Sequence, residues 1–332
     1  MPAPLRLAVI GAAHSHVRYA LDEVPLRADL ALVGVADPDP ATAGRYAGEF
    51  GVPAYDDHRK LLDELRPDVV MIAGIYADRA EAIVDSLRAG AHVLADKPLC
   101  TTLAELDAIE TTQRETGRIV SLLLEKRNYP ETLAARALLA DGSLGELVQV
   151  ASTGPHKLNR PTRPDWFLTR KGYGGILGDL AVHDIDLVLL LSGATGGTIT
   201  GLVDSSEFAL AGSLLLRAGS VVATIEVNWL TPAASPYHGD YRMRLTGTEG
   251  TVELFWAQNK LIAATTDRPP WEVELPPRRR PAADAFDAFI AGREPEISTA
   301  VGFAATRVAL LAQESADAGG VVVPWQLRGQ SA

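Results

Sequence analysis

Three short stretches of this chain carry residue types that can do chemistry. In the run from Gly172 to Asp186, Asp179, His183 and Asp186 stand at i, i+4 and i+7. On a regular helix that spacing stacks two carboxylates and an imidazole on one face, a set suited to general acid-base work. Gly174, Gly175 and Gly178 supply a close-approach turn, while Leu180, Val182, Ile185, Leu187 and the run from Val188 to Leu191 bury the rest of the helix. A structural account of the same residues stays open: Asp179 after Gly178 as an N-cap, and His183 as a hydrogen-bonded core histidine.

The second stretch, His92 to Leu99, reads as a buried strand ending in Asp96-Lys97-Pro98, in a chain with only six lysines. Open parallel sheets bind ligands at the carboxyl ends of their strands, where Lys97 would stand. Pro98 admits a cis peptide. A lysine in a surface turn is the plainer alternative.

The third stretch is the turn Gly11-Ala12-Ala13-His14-Ser15-His16 after the first strand-like run. A dinucleotide fold carries G-x-G-x-x-G there; Gly11 keeps the tight turn, while Ala13 and His16 replace the other two glycines. Backbone N–H groups and the helix N-terminus still suit an anion, and His14 or Ser15 can add a phosphate contact. Asp37 follows the second strand, 26 positions after Gly11, where an acid accepts from the adenosine ribose hydroxyls. Pro38-Asp39-Pro40 offers no arginine for a 2'-phosphate, so NAD is favoured over NADP. The bland counterpart is a turn aspartate before proline. His14-x-His16 also allows a metal-dependent hydrolase, with His183 and an acid completing the site. That reading needs eight strand-helix units closed into a barrel, which the second half of the chain does not supply, so no metal ligand is assigned.

The elements that must position these residues follow from periodicity. Short apolar runs at Leu5 to Ile10, Ala31 to Ala36, Val69 to Ala73, His92 to Ala95 and Ile119 to Leu124 alternate with helical patterns starting near His16, Thr42, Asp57, Arg79 and Leu103. Such alternation predicts a parallel sheet covered on both faces, a doubly wound α/β domain. After about Arg127 the texture changes: a helix over Pro130 to Ala140, then eight strand-like runs between Glu146 and Leu275, interrupted by the helix of the first stretch. Helices from about Pro281 and Ser298 close the chain. The expected fold is a doubly wound parallel sheet over residues 1–124 and, over 125–332, an α+β domain with a large open, mainly antiparallel sheet.

The chain has 332 residues, 47% of them hydrophobic, which is enough for two cores. Its net charge of -11 disfavours nucleic-acid or anionic-membrane surfaces. Cys100 is the single cysteine and allows no internal disulfide. The first residues lack a signal-peptide pattern and no run has the length of a membrane span, so the cytoplasm is the expected compartment.

Taken together, these motifs resemble the Gfo/Idh/MocA oxidoreductases over nearly the whole chain. Asp96-Lys97-Pro98 is similar to the family's E-K-P, and Asp179 to Asp186 to its D-x-G-x-H-x-x-D with Ala181 for glycine. Glu125-Lys126-Arg127-Asn128-Tyr129-Pro130, Leu144-Gly145-Glu146 and Gly247-Thr248-Glu249-Gly250 fit as well. Where the family carries T-P-N-x-x-H, this chain has Gly74-Ile75-Tyr76-Ala77-Asp78-Arg79. The resemblance implies a Rossmann domain followed by an open-sheet domain with substrate bound between them. It implies hydride exchange between a sugar, polyol or cyclitol carbon and a nicotinamide. In that frame Lys97 would hydrogen-bond the reacting hydroxyl, His183 would take its proton, Asp179 would orient substrate or imidazole, and Asp186 would support them. Gly11, Ala13, His14, Ser15, His16, Asp37, Ala73, Gly74, Ile75, Tyr76, Asp96 and Lys97 would line the cofactor, and Arg127, Tyr129 and Trp166 the substrate. A homodimer or homotetramer through the second sheet is the implied assembly. The competing function is a sensor of the same fold that has lost turnover, to which the altered glycine turn points.

Overall fold

The structure, a computed structural model, describes residues 3–327. Six strands, β1 (Leu5–Ile10), β2 (Leu30–Ala36), β3 (Ala54–Tyr55), β4 (Val69–Ile72), β5 (His92–Asp96) and β6 (Val120–Leu123), form an all-parallel sheet in the order β3-β2-β1-β4-β5-β6. The order reverses at β1, so the turns after β1 and β4 border the switch-point crevice where doubly wound sheets take ligands. At the centre, β4 is buried at every residue and β1 over its last four, as expected for a sheet covered on both faces.

The helices between these strands are set by local chemistry. The first, α1 (Val17–Leu21), is short. In α2 (Pro40–Phe50), Asp39 accepts the N–H groups of Ala41 and Thr42, Pro40 stands in the first turn, and Gly51 closes the helix at φ +67°. The helices α3 (His58–Leu65), α4 (Arg79–Arg88) and α5 (Leu103–Thr116) follow in turn. A Thr102–Glu105 capping box starts α5 just after the β5 turn.

Downstream come α6 (Pro130–Ala140), α7 (Arg170–Tyr173) and α8 (Val182–Ser192). A mixed sheet of nine strands carries β7 (Leu147–Pro155), β8 (Gly196–Val203), β9 (Ala211–Ala218), β10 (Val221–Asn228), β11 (Arg242–Gly247), β12 (Gly250–Phe255), β13 (Lys260–Thr265), β14 (Arg268–Glu272) and β15 (Val323–Gln326). Its order is β14-β13-β12-β11-β7-β10-β9-β8-β15, antiparallel apart from the β7/β10 pair. Alternating burial along β9 and β10 gives the sheet one covered and one exposed face. The helix α8 packs on β7, β9 and β10. Neither sheet closes into the eight-stranded barrel that the hydrolase alternative requires.

The chain divides into two compact units, Met1–Leu124 with Lys171–Gly174 and Arg280–Thr306, and Glu125–Arg170 with Gly175–Arg279 and Arg307–Ala332. The return of the later segment to the first unit has a packing cause. The helix α9 (Ala283–Ala291) places Phe286 and Phe289, with Ala282 and Ala285, in the same buried cluster as Leu7, Val9, Leu32 and Met71. The last helix, α10 (Thr299–Asp317), gives its opening turns to one unit and the remainder to the other. Among the described residues no helix is long and apolar enough to cross a membrane.

Candidate active site

In the first unit, the expected cofactor residues gather at the carboxyl edge of the parallel sheet. Gly11 adopts φ +71°, and a Cβ there would stand 2.5 Å from the Cα of Gly74. The turns after β1 and β4 thus touch backbone to backbone, and glycine is required on the β1 side. Two further bonds hold the turns together: Ala73 N–H donates to Gly11 O at 3.1 Å and His14 N–H to Ala73 O at 2.9 Å. Ala13 and Ser15 are exposed on this turn. Asp37 ends β2 as a buried carboxylate that accepts the Ala12 N–H at 2.7 Å and the Asp39 N–H at 2.9 Å. It therefore ties the glycine turn to the β2 edge.

The end of β5 is the most densely held point of the unit. Asp96 is fully buried and meets three partners: His16 Nδ1 at 2.8 Å from Oδ1, His14 Nδ1 at 3.0 Å from Oδ2, and Arg79 Nη2 at 3.0 Å from Oδ2. Burial alone would raise its pKa, but the charges of His16, His14 and Arg79 outweigh that and hold Asp96 well below the usual carboxylate range. Burial dominates at His14 and lowers its pKa to about 4, against the pull of Asp96. Arg79 is 1% exposed and spends its other donors on the carbonyls of Gly74, Asp96 and Pro98. It lies 4.4 Å over the ring of Tyr76, which in turn stacks on Tyr173 at 6.0 Å. Ile75 is partly buried next to Tyr76. The Lys97–Pro98 bond is cis, and Lys97 is 5% exposed directly after this carboxylate. Arg79, which sequence reasoning passed over, is thus the cation that joins the β4 and β5 turns.

In the second unit, three consecutive residues pair with α8. Glu125 Oε1 lies 3.4 Å from His183 Nε2; Lys126 Nζ binds both oxygens of Asp184 at 2.8 and 3.0 Å; Arg127 binds both oxygens of Asp186 at 2.7 and 2.6 Å. All six residues are buried. Ser152 Oγ donates to Asp184 as well, and Lys126 lies 4.8 Å over the ring of Trp256. Glu125, Lys126 and Asp184 carry no expected site role, yet they fix the helix that presents His183. Arg127, expected to line the substrate, holds Asp186 with a bidentate fork. Tyr129 lies under the Arg278 guanidinium at 4.4 Å, and Trp166 packs edge-on against Phe167 at 5.5 Å.

The helix entering α8 departs from the regular spacing read from the sequence. Leu177–Ala181 forms a π turn, so Asp179 sits in a wider turn than His183 and Asp186. Asp179 is therefore neither the N-cap nor the first residue of one continuous α-helical stripe. The cap position belongs to Ile176, and Asp179 is 1% exposed within the turn. Inserted π turns of this kind recur where a helix must redirect a functional side chain.

A parallel sheet with its switch point between β1 and β4, a glycine at the first turn and an acid closing β2 defines a Rossmann-type dinucleotide-binding protein. The residues fit that ligand: Asp37 closes β2 as the acid expected to meet the ribose hydroxyls, and the turn after β1 leads into α1. Residues 5–123 match the oxidoreductase family with an NAD-binding Rossmann fold, and residues 132–253 match the C-terminal domain of the same family. The chain belongs to the Gfo/Idh/MocA oxidoreductases. It is 29% identical over 195 residues to the D-glucoside 3-dehydrogenase of Escherichia coli, spanning 58% of this chain and 55% of that protein. With the dTDP-3,4-didehydro-2,6-dideoxy-alpha-D-glucose 3-reductase of Streptomyces antibioticus it shares 27% identity over 312 residues, 89% of this chain and 90% of the relative. A solved Thermotoga maritima structure has the same fold, with a TM-score of 0.88 at 23% identity over 97% of this chain and 100% of that one.

Proposed function

We propose that this chain moves a hydride between nicotinamide C4 of NAD and a hydroxyl-bearing or carbonyl carbon of a sugar or cyclitol, with Lys97 and His183 handling the proton. The observation that carries the reading is the β5 end, where a buried carboxylate held by His14, His16 and Arg79 is followed at once by Lys97. The two named relatives, a dehydrogenase and a reductase, both act at position 3 of a sugar. When bound, the nicotinamide supplies the two-electron acceptor or donor.

In the oxidation direction, the substrate C–H bond breaks with its electron pair leaving for that acceptor, and the hydroxyl proton passes to His183. The Glu125 carboxylate, 3.4 Å from the imidazole, stabilises the imidazolium so formed. The Lys97 ammonium hydrogen-bonds the same oxygen and offsets its developing negative charge. Asp179 orients the hydroxylated substrate. Asp37 reads the adenosine ribose and favours NAD over NADP. The exposed sheet face, with Leu202, Leu215 and Val222 open to solvent, supports assembly as a homodimer or homotetramer. The compartment consistent with this chemistry is the cytoplasm.

The test is a survey of the purified chain with NAD against sugars, glycosides and cyclitols, and with NADH against the keto-sugars. Turnover is expected, with Lys97→Met lowering kcat by about 10²- to 10⁴-fold while NAD binding and the melting temperature are retained. Tight NAD binding without turnover on any compound would favour the sensor; an unchanged kcat in Lys97→Met would remove the lysine from the mechanism.

A further inference from the structure

We propose that His14, His16 and Asp96 form a binding site for one divalent transition-metal ion of the zinc class, set between the first glycine turn and the end of β5. Among the described residues these three are the group of histidine and carboxylate side chains whose ligand atoms converge, all within 4.8 Å of one another. Both imidazoles turn the same nitrogen, Nδ1, onto a single fully buried carboxylate.

Bonds of about 2.0–2.2 Å to a tetrahedral ion of the zinc class place its ligand atoms about 3.3–3.5 Å apart. His16 Nδ1 lies 2.8 Å from Oδ1 and His14 Nδ1 3.0 Å from Oδ2. Each imidazole therefore has to move outward by only about half an ångström to take such an ion. Two histidines and one carboxylate on one side of a metal leave the remaining positions for water or a ligand oxygen.

The surroundings have the character of a metal's outer sphere. Arg79 holds Asp96 Oδ2 from behind at 3.0 Å and is anchored on three carbonyls, so the carboxylate cannot swing away. The His14 and His16 rings meet edge to face at 4.3 Å, which limits their rotation. His14 is held at the main chain as well, through its N–H bond to Ala73 O. A cation chelated by the carboxylate, with His16 Nδ1 on the Oδ1 side and His14 Nδ1 on the Oδ2 side, leaves Arg79 its bond to Oδ2. Such an ion would fasten the glycine turn to β5 at the point where His16 stands in place of the third glycine.

The test uses the full-length chain dialysed against a chelator and then titrated with Co²⁺, followed by visible d–d absorption and by metal analysis after Zn²⁺ loading. One equivalent per chain is expected, with Zn²⁺ displacing Co²⁺ and raising the melting temperature. His16→Ala and His14→Gln should each weaken binding by about 100-fold or more, and Arg79→Gln by about 10- to 100-fold. Circular dichroism of each variant separates lost binding from lost folding. The proposal is overturned if the wild-type chain takes up no stoichiometric Co²⁺ or Zn²⁺, in which case the triad is a hydrogen-bonded clamp, or if folded His14 and His16 variants bind as tightly as wild type. Metal uptake is read with no nucleotide present and NADH binding separately on the metal-free chain, because the three ligands also stand among the residues expected to line the cofactor.

Discussion

Asp186→Ala is the sharpest perturbation of the scaffold that presents His183. Asp186 is 1% exposed and Arg127 4%, and the two share bonds of 2.6 and 2.7 Å. Removing the carboxylate takes both bonds of the fork from a buried guanidinium, which costs about 3–5 kcal/mol. For a unit of this size each kcal/mol shifts the transition by about 2–4 °C, so the expected drop is roughly 6–20 °C. All five tryptophans, Trp166, Trp229, Trp256, Trp271 and Trp325, belong to the second unit. Intrinsic fluorescence during urea or thermal unfolding therefore reports that unit alone. The double variant Arg127→Met/Asp186→Leu removes both charges and should return to within about 1 kcal/mol of wild type, because a well-packed apolar pair replaces a buried ion pair at little net cost. A single substitution costing under about 1 kcal/mol, or a double variant as damaged as the sum of its singles, refutes the reasoning.

Three further outcomes follow from particular contacts. Gly11→Ala forces a Cβ to 2.5 Å from Gly74 at φ +71° and should destabilise the first unit by about 2–4 kcal/mol, read by calorimetry, with loss of NAD binding. Asp37→Ser should reduce the preference for NAD over NADP by about 10- to 100-fold in dissociation constants, since one charge-assisted hydrogen bond is withdrawn; an unchanged ratio would assign Asp37 only to the Ala12 turn. Glu131 on α6 is 1% exposed, its Oε1 has no hydrogen-bond partner among the described residues, and burial raises its pKa. A carboxyl raised on folding binds its proton more tightly when folded, so the stability it contributes is present below the unfolded value and lost as pH rises through the folded one. Glu131→Gln should therefore stabilise the second unit above that window, by about 1 kcal/mol, and little at lower pH; equal effects at both pH values would count against the burial argument.

The parts of this molecule that were legible from sequence are those in which neighbouring residues share one element. The apolar runs of β1, β4 and β5 mark themselves, and the helical pattern read from Thr42 begins two residues inside α2. Lys97-Pro98 at a strand end needs only the strand to be placed. The illegible parts depend on contacts between distant segments. Arg79 joins two turns because it is buried among carbonyls at Gly74, Asp96 and Pro98, and a lone arginine opening a helix gives no sign of that. The pairing of Glu125-Lys126-Arg127 with His183, Asp184 and Asp186 spans 58 or 59 positions in each case. Its trace in sequence is the charge order alone, acid-base-base against imidazole-acid and a second acid. The π turn was hidden for a different reason. Periodicity assumes one residue count per turn, and Leu177–Ala181 changes that count inside an otherwise helical run.

The cluster around Asp96 also explains why the cofactor turn keeps its shape with one of the three usual glycines. Glycine at the second and third positions allows close approach of a ligand and of the helix to the sheet. Here Ala13 is exposed, while His16 takes the third position and sends its ring to Asp96 at 2.8 Å. A small residue is thereby replaced by a tether. The tether requires a buried anion at the end of β5, that anion requires Arg79, and Arg79 requires the open carbonyls that the turns after β4 and β5 provide. The departures at Ala13, His16, Gly74 and Arg79 are one coupled change, so reverting His16 to glycine alone should loosen Asp96 and Lys97 rather than restore a tighter nucleotide turn. Measured by NAD affinity, His16→Gly is expected to weaken binding, and a gain in affinity would break the coupling argued here.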